Sequence, residues 1–343
     1  MRLQLAFVAI AIAALQASVF AQTVNITGAG STFAAPLYSS WIAEFQKTHS
    51  NVRIAYQAVG SGAGIHQLIT DAVDFGATDG PMTDTQMALA SSRMVTTILH
   101  FPTAIGADVP TYNIPGISVE LNFTPEALAG IFLGTITRWN DPALQVANPG
   151  IKLPGNGIVV VHRSDGSGTT YVWADYLAKI SPEWKTKVGV ANSIEWPVGI
   201  GGQGNEGVAN VVKGTVYSIG YVELTYAMQK HMPCGRVRNS AGSFVKASLD
   251  SVSSAAAAAV QIMPADFRVS ITNPQAKDAY PISSFTWLLI KMHMPDKNKG
   301  AALKAFLIWG LTDGQSLTTR LSYAPVPKSV VDKELLAVKL LQY

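Results

Sequence analysis

Cysteine is almost absent: the 343-residue chain has one, Cys234. A lone thiol has no intramolecular disulfide partner, and it excludes a metal cluster built on cysteines. Charge is also scarce, at 14% of residues, with 25 Lys+Arg against 22 Asp+Glu for a formal +3. So small and evenly spread an excess leaves no electrostatic footprint for nucleic acid. The six histidines show no His-x-x-x-His spacing for a metal. Beyond the first residues no apolar run is long enough to cross a bilayer. Internal repeats, low-complexity tracts and Gly/Ser tethers are missing too. What is present is apolar side chain, 48% of residues, which excludes disorder and builds a packed core. The length fits two globular units better than one.

The chain starts Met1-Arg2, and Leu3 to Leu15 is then apolar apart from Gln4. Val19-Phe20-Ala21 sets small residues three and one positions before Gln22. This layout predicts a cleaved secretory signal peptide over 1–21 and an exported, periplasmic protein. No cysteine near the cleavage point offers a site for a lipid anchor.

Val52, Ile54, Tyr56 and Ala58 alternate as one side of a half-buried strand, and Val73 to Ala77 reads as the next. Between them Gly60 to Gly64 leads into a helical pattern of Ile65, Leu68 and Ile69. Ile158 to Val161 is a continuous apolar strand that runs into a Gly/Ser loop and a helix with Val172, Trp173, Tyr176, Leu177 and Ile180 on one face. Strand, loop and helix in this order build open α/β sheets, whose ligand sites lie beyond the carboxyl ends of strands. Ser253 to Met263 and Ala301 to Leu311 read as helices, and 235–245 as a hairpin. The apolar stretches Ala104 to Val109 and Ile282 to Ile290 are the candidate crossings between two domains.

Four loops are suited to one anion. Thr27-Gly28-Ala29-Gly30-Ser31-Thr32-Phe33 precedes Pro36, which suits the first turn of a helix, so Thr32 and Phe33 lie where backbone N–H groups are free. Gly60-Ser61-Gly62 repeats the design. Arg163-Ser164-Asp165-Gly166-Ser167-Gly168-Thr169 adds a guanidinium, which Asp165 can orient, beside the hydroxyls of Ser167 and Thr169. Asp79, in Thr78-Asp79-Gly80-Pro81, is an acceptor among donors. A carboxylate there accepts from a protonated anion and opposes an unprotonated one, which favours phosphate over sulfate.

In order and spacing these four segments closely resemble the PstS family, the phosphate-binding proteins of bacterial phosphate ABC transporters. The likeness extends through Leu133-Gly134, Arg138-Trp139-Asn140, Trp196-Pro197-Val198-Gly199, Gly204-Asn205-Glu206-Gly207 and Ile219-Gly220-Tyr221-Val222. It implies an α/β, two-lobed periplasmic-binding-protein fold of type II, with lobe 1 over 22–105 plus 283–343 and lobe 2 over 106–282. Phosphate would lie between the lobes. Thr32 and Phe33 would hold it through backbone N–H, Ser61 through backbone and side chain, and Arg163 by charge, with Asp165 behind it. Ser167, Gly168 and Thr169 would complete the cradle, and Asp79 would accept a hydrogen bond from the ligand's proton. The resemblance further implies an ABC permease and its ATPase in the inner membrane as partners. A monomer without cofactor or metal is expected. Two positions depart from the family's habit: Gly62, often Ser, and His162, often Arg.

Three other readings compete. A hydrolase lacks support because no Gly-x-Ser-x-Gly elbow surrounds Ser61 or Ser167, and Phe33 stands where a dinucleotide fingerprint needs a third glycine. A binder of sulfate or molybdate conflicts with Asp79. An adhesive surface is disfavoured because the tryptophans and methionines suit a core.

Overall fold

The computed structural model describes residues 23–343, so the expected signal peptide lies outside the described residues. The chain runs β1 (Val24–Gly30), α1 (Ala35–Thr48), β2 (Val52–Gln57), α2 (Ser61–Ile69), β3 (Phe75–Thr78), α3 (Asp84–Met94) and a long β4 (Ile98–Asn113). It continues through β5 (Asn122–Phe123), α4 (Pro125–Leu133), α5 (Pro142–Ala147), β6 (Val159–Arg163), α6 (Gly168–Ile180) and α7 (Pro182–Lys187). Next come β7 (Ile200–Gly202), α8 (Gly204–Gly214), β8 (Ser218–Glu223), α9 (Leu224–Gln229), β9 (Arg236–Arg238), β10 (Phe244–Val245) and α10 (Leu249–Ala259). The last elements are β11 (Ser283–Lys291), α11 (Lys297–Leu311), α12 (Gln315–Thr318) and α13 (Lys328–Ala337).

One curled sheet of eight strands, ordered β2-β1-β3-β11-β4-β8-β6-β7, runs through both lobes of an α/β fold. Strands β2, β1 and β3 are parallel, as are β8, β6 and β7, while β11 and β4 join the two sets by antiparallel pairing. The chain crosses within β4: Ile98 to Ala107 pairs with β11, and Asp108 to Asn113 pairs with β8. Parallel strands need helical crossovers, and these put the loop at each strand's carboxyl end on a common edge.

The helices start where their caps dictate. Pro36 sits in the first turn of α1, whose inner face is Leu37, Tyr38, Trp41, Ile42 and Phe45. That face packs on α11, with Phe45 edge-on to Phe306 at 5.3 Å between ring centres. In the other lobe Trp173 of α6 stacks on Tyr221 of β8 at 4.9 Å. Burying such aromatic side chains contributes most per residue to the core.

Several boundaries differ from the sequence expectation. Thr27 to Gly30 belongs to strand β1 rather than to a loop, because its glycines lie against the Phe75 ring and the Ala77 carbonyl, where side chains would collide. Ala58 is exposed and falls beyond β2, which ends at Gln57. Helix α10 begins four residues ahead of Ser253, since Ser248 and Ser251 form a reciprocal capping box. The 235–245 hairpin forms as β9 and β10, and β5 adds to it in a separate three-stranded sheet.

Candidate functional site

The carboxyl ends of β1, β2, β3, β6, β7 and β8 meet at one place. All nine residues singled out by sequence are found there, delivered by both lobes. Thr32 and Phe33 follow β1, Ser61 opens α2, Asp79 follows β3, Arg163 ends β6, and Ser167 to Thr169 begin α6. All but Asp165 are buried, and Arg163 is 2% exposed. Contact across the cleft is direct: Gly62 N–H donates to Gly166 O at 2.9 Å.

Five backbone N–H groups at this place, those of Thr32, Phe33, Ser61, Gly168 and Thr169, have no partner among the described residues. Three of them are the first amides of α2 and α6, where the helix leaves donors free and its dipole favours an anion. Gly60 makes the α2 terminus reachable: its φ of +93° is costly for a side chain, and a Cβ would lie 2.5 Å from Asp165 Oδ2. Gly168 matters for proximity, because a Cβ there would overlap Asp79 Oδ2 and Ser61 Oγ.

Asp79 is the one acceptor in this ring of donors. Its Oδ1 accepts from Ser31 Oγ at 2.5 Å and Thr286 Oγ1 at 2.8 Å. Among the described residues its Oδ2 has only Ser61 Oγ, at 3.3 Å. Oδ2 therefore keeps acceptor capacity on the side of Gly168 and Ser61. Burial pushes the carboxyl up to about 6, while the bonds from Ser31 and Thr286 and the Arg163 charge pull the other way. Near neutral pH Asp79 is ionised and accepts.

The guanidinium is fixed on two sides. Arg163 Nε and Nη2 donate to Asp165 Oδ1 and Oδ2 at 2.8 and 2.5 Å, and Nη1 donates to Thr169 Oγ1 at 3.1 Å. Burial pushes Asp165 up, but the hydrogen bonds and charge of Arg163 and the Gly204 N–H outweigh it and hold the carboxyl below its usual range. Burial also raises two further acids nearby, Asp108 and Glu223, well above their ordinary values.

Three positions around the site have partners of their own. The Ser167 N–H is not free, since it donates to Asn192 O, and Ser167 Oγ caps α6 by accepting from Thr170 N–H. The hydroxyl proton is all that Ser167 has left to offer. His162 stacks on Trp196 at 4.7 Å, and burial lowers its pKa, so it is an uncharged packing group. Gly62 lies on Gly166, with room for a Cβ only 3.1 Å from the Gly166 Cα.

Sequence reasoning missed Ser31, Thr286 and Asn205. Asn205 Nδ2 donates to Thr32 Oγ1 at 2.9 Å and Thr169 Oγ1 at 3.0 Å, bridging the cleft. Tyr226 also crosses it, its hydroxyl donating to Thr32 O at 2.6 Å. A signal existed for Asn205, which follows the short strand β7 at a Gly-bearing helix start like the others.

Chemically, the arrangement offers many donors, one cation and one carboxylate to a small oxyanion. No group of metal ligands is found among the described residues. The PBP superfamily domain is matched over residues 17–313. The phosphate-binding protein PstS of Pasteurella multocida is 41% identical over 313 residues, covering 91% of this chain and 89% of that one. Its counterpart in Xylella fastidiosa strain 9a5c is 42% identical over 311 residues, 90% of this chain and 84% of the other. Among solved structures, a phosphate-bound high-affinity periplasmic phosphate-binding protein superposes with a TM-score of 0.74 at 20% identity, over 91% of this chain and 93% of that one. The phosphate-binding protein of Stenotrophomonas maltophilia gives 0.67 at 18% identity, over 90% and 92%.

Proposed function

The chain belongs to the PstS family of the PBP superfamily, and from that membership we propose that it captures inorganic phosphate and hands it to a membrane permease for import. The partner is an ABC permease with its ATPase, and the compartment is the periplasm, reached through the signal peptide at 1–21. The protein binds and releases its ligand without turnover. Its lobes are 22–105 plus 283–343 and 106–282.

The observation that carries this reading is the convergence of five amides with no partner among the described residues and Arg163 beside one carboxylate that keeps acceptor capacity. Thr32, Phe33, Ser61, Gly168 and Thr169 donate to phosphate oxygens, Arg163 supplies charge, and the Ser167 hydroxyl adds a donor. Asp165 holds the guanidinium in place, and Asp79 accepts a hydrogen bond from the protonated oxygen of hydrogen phosphate. Closing the lobes removes water and lowers the local dielectric, which strengthens every one of these contacts. The closed form is then populated by ligand and read by the permease.

Two measurements test it. Protein denatured directly after purification from phosphate-containing medium is expected to release about one phosphate per chain, and cells deleted for it should lose high-affinity phosphate uptake. Absence of both would overturn the proposal.

A further inference from the structure

Asn205 has an atom-by-atom arrangement that fixes the direction of two hydroxyl groups. Its Oδ1 accepts from the Glu223 backbone N–H at 2.8 Å. A backbone N–H can only donate, so this bond identifies the amide's oxygen end and turns the Nδ2 end toward the cleft. There its two protons go to Thr32 Oγ1 and Thr169 Oγ1. Each threonine oxygen receives a second donor: the Asn205 N–H reaches Thr32 Oγ1 at 3.3 Å, and Arg163 Nη1 reaches Thr169 Oγ1 at 3.1 Å.

A hydroxyl has two lone pairs and one proton. With both lone pairs of Thr32 and of Thr169 filled, each proton is forced into the one remaining direction, away from Asn205 and Arg163. We propose that Asn205 is a positioning residue that fixes both hydroxyls as donors to the bound anion, one from each lobe. The inference rests on the phosphate reading of the site. Without Asn205 the hydroxyls rotate, and ligand binding must order them. With it they are ordered in advance, which lowers the cost of binding. Asn205 also couples this ordering to closure, since Thr32 and Thr169 meet the same amide only when the lobes are together.

The test is calorimetric titration of the ligand-stripped full chain with inorganic phosphate. Asn205→Asp keeps an acceptor for the Glu223 N–H but places an oxygen where the two protons were donated. Both hydroxyls then turn toward it and show lone pairs to the anion. The expected loss is at least about 100-fold, against about 10-fold for Asn205→Ala, which only frees the hydroxyls. The new carboxylate also repels the anion directly, so the Asn205→Asp loss is read against the same change in a Thr32→Val/Thr169→Val background, where only that repulsion remains. A second readout is a double-mutant cycle. In a Thr32→Val/Thr169→Val background, Asn205→Ala should add less than about threefold, because nothing is left to orient. Melting of the ligand-free variants checks that each folds, and Asn205→Ala carries the cycle if Asn205→Asp does not fold. Wild-type chain that ignores phosphate removes the underlying reading. Wild-type that binds, with Asn205→Ala within threefold of it or with equal losses in both backgrounds, overturns this proposal alone.

Discussion

Replacing Asp79 by asparagine should turn a site that rejects sulfate into one that tolerates it. Ser31 and Thr286 both donate to Oδ1, so the carbonyl of the introduced amide stays on their side. Its NH2 then occupies the Oδ2 position, beside Gly168 and Ser61. Hydrogen phosphate and sulfate carry the same double charge, so between these two the long-range repulsion from Asp79 largely cancels. The difference lies at the touching oxygen. Phosphate donates a charge-assisted hydrogen bond there, worth about 1.5–3 kcal/mol. Sulfate instead sets about half a unit charge against the carboxylate, costing about 2 kcal/mol at ~4 Å and an effective dielectric of ~20. Together these give about 3.5–5 kcal/mol, or about 10³-fold discrimination. In the variant phosphate loses its charged acceptor and sulfate gains a donor, so the ratio should fall to within about tenfold. Competition calorimetry on stripped protein measures it. A ratio unchanged within threefold would refute the acceptor role. The same logic sets a pH dependence. Asp79 has its pKa raised to about 6, so acidification through that value protonates it and makes it a donor. Sulfate binding should therefore emerge in wild-type chain as pH falls below about 6 and be independent of pH there in Asp79→Asn.

Other sites give independent checks. Gly168→Ala puts a methyl into Asp79 Oδ2 and Ser61 Oγ, so phosphate affinity should drop about 10- to 100-fold, the equivalent of about 1–3 kcal/mol of overpacking; unaltered affinity in the same titration would deny the close approach. Trp173 is fully buried with its Nε1 unpartnered among the described residues, so urea unfolding should show a loss under about 2 kcal/mol for Trp173→Phe against about 3–5 kcal/mol for Trp173→Ala; equal losses would mean that the indole N–H is bonded. His100 accepts from the Met82 N–H and is held by burial at about 3 rather than 6.5. The unfolded chain takes up this proton first, so stability is whole above pH 6.5 and falls by about 1.4 kcal/mol per pH unit as pH drops toward 3. Proton NMR showing His100 titrating near 6.5 in the folded protein would contradict it.

The legible part of the site is the part made by backbone. Glycines before helix starts mark places where the main chain itself contacts a ligand, and Gly60, Gly168 and the amides beside them are found there. Asp79 and Arg163 stand out because each is a charge in an otherwise donor-rich, glycine-bearing loop. The residues that orient them do not. Thr286 sits in the apolar run of β11, where Ser283, Ser284 and Thr286 read as strand residues, although all three hydroxyls in a fully buried strand are a sign of polar partners. Ser31 lies between two recognised residues, but its bond to Asp79 depends on β1 pairing with β3. Asn205 is 173 residues from Thr32 in sequence, and only closure of the two lobes brings them together. Local pattern shows which loops are built to bind, whereas tertiary pairing decides what steadies them. The start of α10 repeats this in miniature: Ser248 reads as loop until its capping box with Ser251 is seen.

On the function proposed above, buried donors and one carboxylate hold a small oxyanion that carries a proton. The most direct measurement is titration of unfolded, dialysed and refolded chain with phosphate and separately with sulfate near neutral pH. Tight stoichiometric binding of one phosphate, with sulfate weaker by about 10³-fold, is the expected result. Equal affinity for the two anions, or no heat with phosphate from protein that has regained its fold, would contradict it.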